Sequence, residues 1–346
     1  MNRVAALIGT GMVARTHLLA IRDTPGLTLG AVVARHYDSA ERFADLAEAE
    51  TGHRPEVMDD AHDVAAAHRI DFAIVVTPPD ARLGIIRPLA AATKPVLLEK
   101  PVARDLEEAT ELVELCEKAN IPLGIVFQTR MRAASRKAAE MVASGEFGPL
   151  GLVEISVPWW REQKYYDEPG RGSYARDGGG VLISQAIHTI DLALSLTGPV
   201  SEVTAMTATT RFHSMEAEDV AAAGLTFENG AVGWLTASTA SYPGGPEMIT
   251  LHFDRATLRL GEGVLRVSWR DGREDTFGAA ATTGGGADPM AFTHDWHKDI
   301  LADFLDCLDT GRPPLVTGRE ALKAHALIDA IVTSARRGHA MPVETP

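Results

Sequence analysis

The sequence predicts an α/β protein of two unlike parts: a doubly wound parallel sheet first, then an α/β domain built on a mainly antiparallel open sheet. Three observations carry this. Short, continuously apolar runs alternate with helix-like stretches over roughly the first 120 residues, the pattern of buried parallel strands with helices on both faces. Beyond about residue 123 β-type runs follow one another directly, as sequential antiparallel strands do. A glycine-rich turn separates the first apolar run from the first helical stretch.

The elements follow in order. Apolar runs occupy Val4–Ile8, Leu27–Ala34, Phe72–Val76, Val96–Leu98 and Leu123–Phe127. Helical stretches lie between them at Val13–Asp23, Ser39–Thr51, Ala61–Ala67, Ala81–Ala92 and Leu106–Ala119. A helix over Ala133–Ser144 ends at Gly145, and a strand over Leu152–Val157 leads into a loop rich in Gly, Tyr and Arg. A helix over Val181–Leu196 is stopped by Gly198-Pro199. Strands are expected over Val200–Arg211, Val220–Phe227, Ala231–Ser238, Met248–Phe253, Thr257–Leu260 and Val264–Trp269. Glu228-Asn229-Gly230 joins two of these, and Asn-Gly is a strong hairpin signal. Gly284-Gly285-Gly286 reads as a loop, and the chain returns to helix at His297–Leu308 and Arg319–Arg336, with a break at Gly311–Pro314. The change of rhythm places a domain boundary near residue 122, giving domains 1–122 and 123–346.

Composition narrows the function. The 346 residues are 45% apolar and 23% charged, an ordinary globular balance. Lys+Arg minus Asp+Glu is 33 − 47 = −14, a poor field for nucleic acid or an anionic membrane. Cys116 and Cys307 are too few for a disulfide framework and read as buried free thiols. No apolar run approaches the ~20 residues of a membrane helix. Met1-Asn2-Arg3 leads straight into the first strand with no cleavage signal, so a cytoplasmic setting is expected.

Gly9-Thr10-Gly11-Met12-Val13-Ala14 lies between strand and helix. A dinucleotide turn needs Gly first for the bend, Gly second for close approach of the pyrophosphate, and a small third residue for helix–strand packing. Gly9, Gly11, Met12, Val13 and Ala14 are therefore candidate cofactor residues. Helix-terminal N–H groups let an acidic protein hold phosphate locally. At the end of the second strand, where NAD-binding versions carry an acid, the chain has Ala34 followed by Arg35 and His36. An acid would repel a 2′-phosphate and Arg35 can bind one, so NADP is expected over NAD. Thr77 and Pro78 end the third long apolar run and are placed to line the cofactor cleft.

Further along stands Leu97-Leu98-Glu99-Lys100-Pro101, and later Gly178-Gly179-Gly180 followed by His188-Thr189-Ile190-Asp191. With the glycine turn, Thr77-Pro78-Pro79 and the closing Asp303-Phe304-Leu305 and Gly311-Arg312-Pro313-Pro314, nearly the whole chain resembles the Gfo/Idh/MocA oxidoreductases. The resemblance implies an N-terminal Rossmann domain, a C-terminal domain on a large open sheet, and nicotinamide-dependent oxidation or reduction of a sugar-like or cyclic polyol substrate. It implies that Lys100 lies beside nicotinamide and substrate, that the Lys100–Pro101 bond is cis, and that Glu99 and Gln128 belong to the cofactor site. It also implies a homodimer or homotetramer.

Hydride transfer from a secondary alcohol needs a base for the hydroxyl proton and a donor or cation for its oxygen. Lys100 follows a buried-type strand and suits either role. Ser184, His188 and Asp191 are spaced i, i+4, i+7 on one helix face, and His188 titrates in the useful range. Lys100 and His188 are the candidate catalytic residues, with Asp191 expected to orient the His188 ring or cap local donors. Related sequences commonly place Asp or Asn where this chain has Ser184, followed by Gln185, so proton transfer falls to Lys100 or His188. Trp160, Arg161, Tyr166 and Arg171 join Ser184, Gln185 and Asp191 as candidate substrate residues, because aromatic faces with Arg forks suit a hydroxylated ring or carboxylate. An interfacial role for that aromatic segment remains an alternative. His294 and His297 form a His-x-x-His pair that reads as a polar helix start before a metal site, so no metal is expected. The competing functions are a glycoside hydrolase or lyase that retains its nicotinamide, and a non-catalytic NADP-binding sensor.

Overall fold

The computed structural model describes residues 2–280, 293–344 and 346; the Gly284–Gly286 loop lies outside them. Strands in chain order are β1 (Arg3–Ile8), β2 (Leu27–Val33), β3 (Glu56–Val57), β4 (Phe72–Val75), β5 (Val96–Glu99), β6 (Leu123–Val126), β7 (Leu150–Pro158) and β8 (Val200–Ala208). They continue as β9 (Val220–Phe227), β10 (Val232–Ser238), β11 (Met248–Phe253), β12 (Ala256–Gly261), β13 (Val264–Trp269), β14 (Glu274–Gly278) and β15 (Met341–Pro342). Helices are α1 (Ala14–Arg22), α2 (Tyr37–Thr51), α3 (Ala61–Ala66), α4 (Arg82–Ala91), α5 (Leu106–Lys118) and α6 (Ala133–Ala143). They continue as α7 (Gln163–Tyr166), α8 (Ile187–Thr197), α9 (Asp295–Thr310) and α10 (Gly318–Arg337).

Two compact units emerge. The first comprises Met1–Ala103, Glu107–Gln128 and Thr293–Ala321. Its six-stranded sheet runs β3-β2-β1-β4-β5-β6 with every neighbour parallel. Consecutive residues Ala5–Ile8, Phe72–Val75 and Val96–Glu99 are buried, because helices cover both faces. The strand order reverses between β1 and β4, and that switch point opens a crevice beyond the carboxyl ends of the strands. This unit is discontinuous in sequence. Residues 293–321 belong to it, whereas a single cut at residue 122 leaves them elsewhere. The reason is packing: Phe304 of α9 meets Phe72 at 5.4 Å, and a Cβ on Gly124 would stand 2.9 Å from the Phe304 ring.

The second unit comprises Arg104–Leu106, Thr129–Phe292 and Leu322–Pro346. Its nine-stranded sheet runs β14-β13-β12-β11-β7-β10-β9-β8-β15. Burial alternates, with Ala221, Ala223, Leu225 and Phe227 inward on β9 and Leu235 and Ala237 inward on β10. The Asn-Gly hairpin forms between β9 and β10. Gly230 takes φ +86°, and the Asn229 side chain accepts from the Ala231 amide at 3.0 Å.

Sequential hairpins do not account for the whole sheet. β7 lies between β11 and β10 and is parallel to β10, because the helical segment after β7 carries the chain across. The strand expected to reach Arg211 ends at Ala208. The short strands β3 and β15 and the more exposed β14 had no periodic signal long enough to read. No helix among the described residues is long and apolar enough to cross a membrane.

Candidate active site

In the first unit the glycine-rich turn stands at the switch point. Gly9 takes φ +110°, and a Cβ there would lie 3.0 Å from the Val76 carbonyl carbon and 3.1 Å from the Thr77 nitrogen. Gly11 faces open space, with nothing within 4 Å of an added Cβ. Helix α1 starts here with no side-chain cap and no acid in its first turn. Its N–H groups and dipole thus meet no protein anion of the first turn, which suits a phosphate. Met12 is 51% exposed and Ala14 is buried under the helix.

Thr77 Oγ1 and Gln128 Oε1 are buried without a hydrogen-bond partner among the described residues. Orphaned polar atoms beside an open glycine turn fit a bound dinucleotide, which would satisfy them. Pro78 is partly exposed beside Thr77. At the end of β2, Arg35 and His36 are both exposed, and His36 is the cap residue of α2 without capping it through its side chain.

Lys100 follows β5, partly exposed, and its bond to Pro101 is cis. The Glu99 side chain, expected in the cofactor site, is engaged by two histidines. It is buried and accepts from His17 Nε2 of α1 at 2.8 Å, with His297 Nε2 of α9 at 3.5 Å. Burial opposes ionisation of Glu99, but the two imidazoles outweigh it and hold the carboxyl well below its usual range. Burial lowers His297 below the ordinary histidine value.

These three residues bring ligand atoms within 4.8 Å of one another. A ligating imidazole fixes its second nitrogen on a partner, and His17 Nδ1 is buried with none among the described residues. The His17–Glu99 contact at 2.8 Å has hydrogen-bond length, and all three residues are buried. His294 goes instead to Asp23 at 2.7 Å, and the expected His-x-x-His pair splits between two environments.

The residue that sequence reasoning missed is Arg82, at the start of α4. It is buried, and it donates to the main-chain carbonyls of Thr77, Glu99 and Lys100. An arginine at a helix start reads from sequence as a surface charge; only the tertiary packing turns it inward. A cavity of about 600 Å³ also occurs in this unit, lined by Cys116, Glu117, Cys307, Arg312 and Arg319 among others. It adjoins Leu123 at the amino end of β6, the opposite end from the cofactor turn. Burial pushes the Cys116 thiol up to about 12, so it is no nucleophile.

In the second unit the expected continuous helix is a π turn over Leu182–Ala186 that passes into α8. The wider turn changes the phase between Ser184 and His188, and such turns favour functional sites. Ser184 and His188 are partly exposed, and Gln185 is buried and donates to the Tyr165 hydroxyl at 3.3 Å. Thr129 Oγ1 donates to the His188 carbonyl at 3.3 Å. Asp191 is 1% exposed, and both its oxygens take Arg130 at 2.7 Å. It therefore sits as a buried anchor for Arg130, not as a surface that substrate meets.

Two of the three glycines before this helix leave no room for a side chain. A Cβ on Gly178 would lie 2.0 Å from the Arg104 carbonyl oxygen, and one on Gly180 1.8 Å from that of Glu218. The buried Glu218 carboxylate accepts from the Gly180 and Leu182 amides and so caps the helix start; burial raises its pKa.

The aromatic segment is assembled from loops. Trp160 stacks edge-on against Tyr242 at 5.5 Å and Phe212 at 6.3 Å. The Tyr166 hydroxyl shares a 2.6 Å hydrogen bond with Thr239, and burial raises its pKa. Arg161 is 3% exposed and lies over Trp159 and Tyr165, while Arg171 lies over Tyr165 at 4.2 Å and pairs with Glu168. Arg161 and Tyr166 thus act as buried supports, leaving Trp160 and Arg171 more exposed.

A six-stranded parallel sheet with a glycine turn and an uncapped helix at its switch point defines a dinucleotide-binding Rossmann unit. Comparison places it further. Residues 3–127 match the oxidoreductase family with an NAD-binding Rossmann fold, and residues 135–259 match the GFO/IDH/MocA C-terminal domain. The chain belongs to the GFO/IDH/MocA oxidoreductases. It is 28% identical to D-apiose dehydrogenase of Paraburkholderia graminis, over 98% of this chain and 89% of that protein. It is 26% identical to D-apiose dehydrogenase of Rhizobium rhizogenes, over 98% and 96%. The solved WlbA dehydrogenase of Bordetella pertussis, in complex with NADH and UDP-GlcNAcA, superposes with TM-score 0.84 at 28% identity, covering 100% of this chain and 99% of that one.

Proposed function

We propose that this protein moves a hydride between nicotinamide C4 and a secondary carbon of a sugar-like or cyclic polyol substrate. The observation that carries the reading is Lys100 at the carboxyl end of β5, on the same sheet as the open glycine turn before α1. The bound cofactor would supply or accept the hydride. Gly9, Gly11, Met12, Val13 and Ala14 would hold its pyrophosphate, with Thr77, Pro78 and Gln128 along its length. Lys100 orients the substrate hydroxyl and stabilises charge on its oxygen, and His188 takes the proton; Ser184 has no carboxylate with which to do so. Trp160, Arg171, Ser184 and Gln185 supply the substrate contacts.

NADP is the preferred cofactor on this reading, because exposed Arg35 and His36 stand where an acid would select NAD. The second sheet carries Met206, Val232 and Trp234 exposed on one face at 56%, 52% and 43%. Apolar exposure of this kind supports assembly into a homodimer or homotetramer, and the net charge of −14 supports a protein with neither nucleic acid nor an anionic membrane as partner. Two buried free thiols accord with a cytoplasmic setting.

The test is reduced-nicotinamide absorbance with NADP and NAD across a panel of sugars, cyclic polyols, D-apiose and UDP-linked sugar acids. Turnover of added cofactor is expected. Product without net cofactor change would replace this reading with the hydrolase or lyase. Tight cofactor binding with no turnover anywhere in the panel would replace it with the sensor.

A further inference from the structure

Arg82 is fully charged chemistry placed where no solvent reaches: it is 2% exposed, and among the described residues all its hydrogen bonds go to main-chain carbonyls. Nε and Nη2 donate to the Thr77 carbonyl at 3.1 and 2.8 Å. Nη1 donates to the Glu99 carbonyl, and Nη2 reaches the Lys100 carbonyl at 3.4 Å. Burial pushes the guanidinium down to about 10, opposed by the Glu99, Asp80 and Glu108 carboxylates, so it keeps its charge at neutral pH.

The identity of the three acceptors matters. The Glu99 carbonyl belongs to the peptide plane before the Lys100 Cα, and the Lys100 carbonyl to the plane after it. Fixing both planes fixes the backbone angles of Lys100, and with them the direction in which its side chain leaves the strand. The Thr77 carbonyl belongs to the neighbouring turn, whose Oγ1 is one of the orphaned atoms of the cofactor cleft. Glu99 is held independently through its side chain by His17 and His297. A planar fork with five donors can span three carbonyls in one fixed geometry; an ammonium is a single point.

We propose that Arg82 is a positioning residue for Lys100, pinning the two peptide planes around it and setting them against the Thr77 turn. The proposal rests on the reading that Lys100 meets substrate. Arg82→Lys keeps the charge and loses the fork, and Arg82→Gln keeps one short donor group without charge.

Four measurements separate positioning from simple support of the fold. They are kcat and KM, dinucleotide affinity by fluorescence, melting temperature, and the rate at which trinitrobenzenesulfonate labels Lys100, read by peptide mass spectrometry with cofactor bound. A misplaced catalytic group costs about 10- to 100-fold in rate. Both variants should lose about that much kcat, keep dinucleotide affinity within about threefold, and label Lys100 at a rate changed by at least about threefold. Wild-type kcat and labelling in Arg82→Lys would overturn the proposal. So would losses of kcat, cofactor affinity and melting temperature in equal proportion in every variant that folds. Labelling needs no substrate, so it still decides the matter if the substrate panel defeats the proposed function.

Discussion

The two units treat one buried carboxyl each, Glu99 and Glu218, in opposite ways. The first keeps an ionised carboxylate, Glu99, inside a parallel sheet by giving it two imidazoles, and a guanidinium, Arg82, by giving it three carbonyls. The second buries Glu218 on main-chain amides and half-buries Asp177 between the Gly172 amide and Arg176, and there burial wins and raises both pKa values, while Asp191 of the same unit is paired with Arg130. Charge held at full strength beside a strand end orients chemistry; carboxyls on amides cap and close loops. Covering follows the same division. Strands covered on both faces read as continuous apolar runs, and strands covered on one face alternate.

The contrast can be broken in four places. Lys100→Met should lower kcat by about 10³-fold and His188→Ala by about 10²-fold, the range of a positioned proton-transfer group. Steady-state kinetics decides this, and a His188→Ala enzyme within about threefold of wild type would remove histidine from the reaction. In stability, Leu7→Ala and Ile8→Ala on β1 should each cost about 2–5 kcal/mol although they are neighbours, because both faces are buried. On β10 Leu235→Ala should cost a similar amount, while exposed Thr236→Ala stays within about 0.5 kcal/mol. Denaturant unfolding that shows neighbour-insensitive costs on β10 would contradict the one-sided cover.

Smaller again is the cofactor effect. Arg35→Ser should raise KM for NADP about tenfold and leave KM for NAD nearly unchanged. A wild-type enzyme that prefers NAD tenfold would reverse the cofactor assignment. The subtlest effect is pH. His297, lowered by burial, binds fewer protons folded than unfolded, so its contribution is full above about pH 6.5 and falls as pH drops below it. Glu99 adds a loss of the same sign below its ordinary range. Glu218 and Asp177 are raised, so their contribution falls as pH rises above the ordinary carboxyl range. Hydrogen-exchange protection between pH 6.5 and 5 should therefore weaken around α9 and hold or strengthen around the start of α8. A uniform change across both would refute the assignment.

Much of the first unit was legible because its signals are local. Gly9 and Gly11 stand between strand and helix, five apolar runs mark β1, β2, β4, β5 and β6, and the Lys100 motif closes a strand. The second unit was legible strand by strand, and the Asn229-Gly230 turn fell where expected. Its sheet order was not, because β7 pairs with strands more than 70 residues away in sequence. The site divides the same way. Thr77 and Gln128 carry orphaned atoms that suit a ligand. Glu99 and Asp191 share residue types with substrate or cofactor ligands, yet the fold spends them on His17 and Arg130.

Sequence alone determined the class of fold, the glycine turn, the lysine motif and the family, since periodicity and short motifs are written within a few tens of residues. The tertiary structure decided which charges face inward. Arg82, His17, His297 and Glu218 find their partners across 5 to 198 positions of chain (82 − 77 and 297 − 99). Burial, set by the packing of distant elements, determines whether a carboxylate or a guanidinium is solvated, paired or put to work.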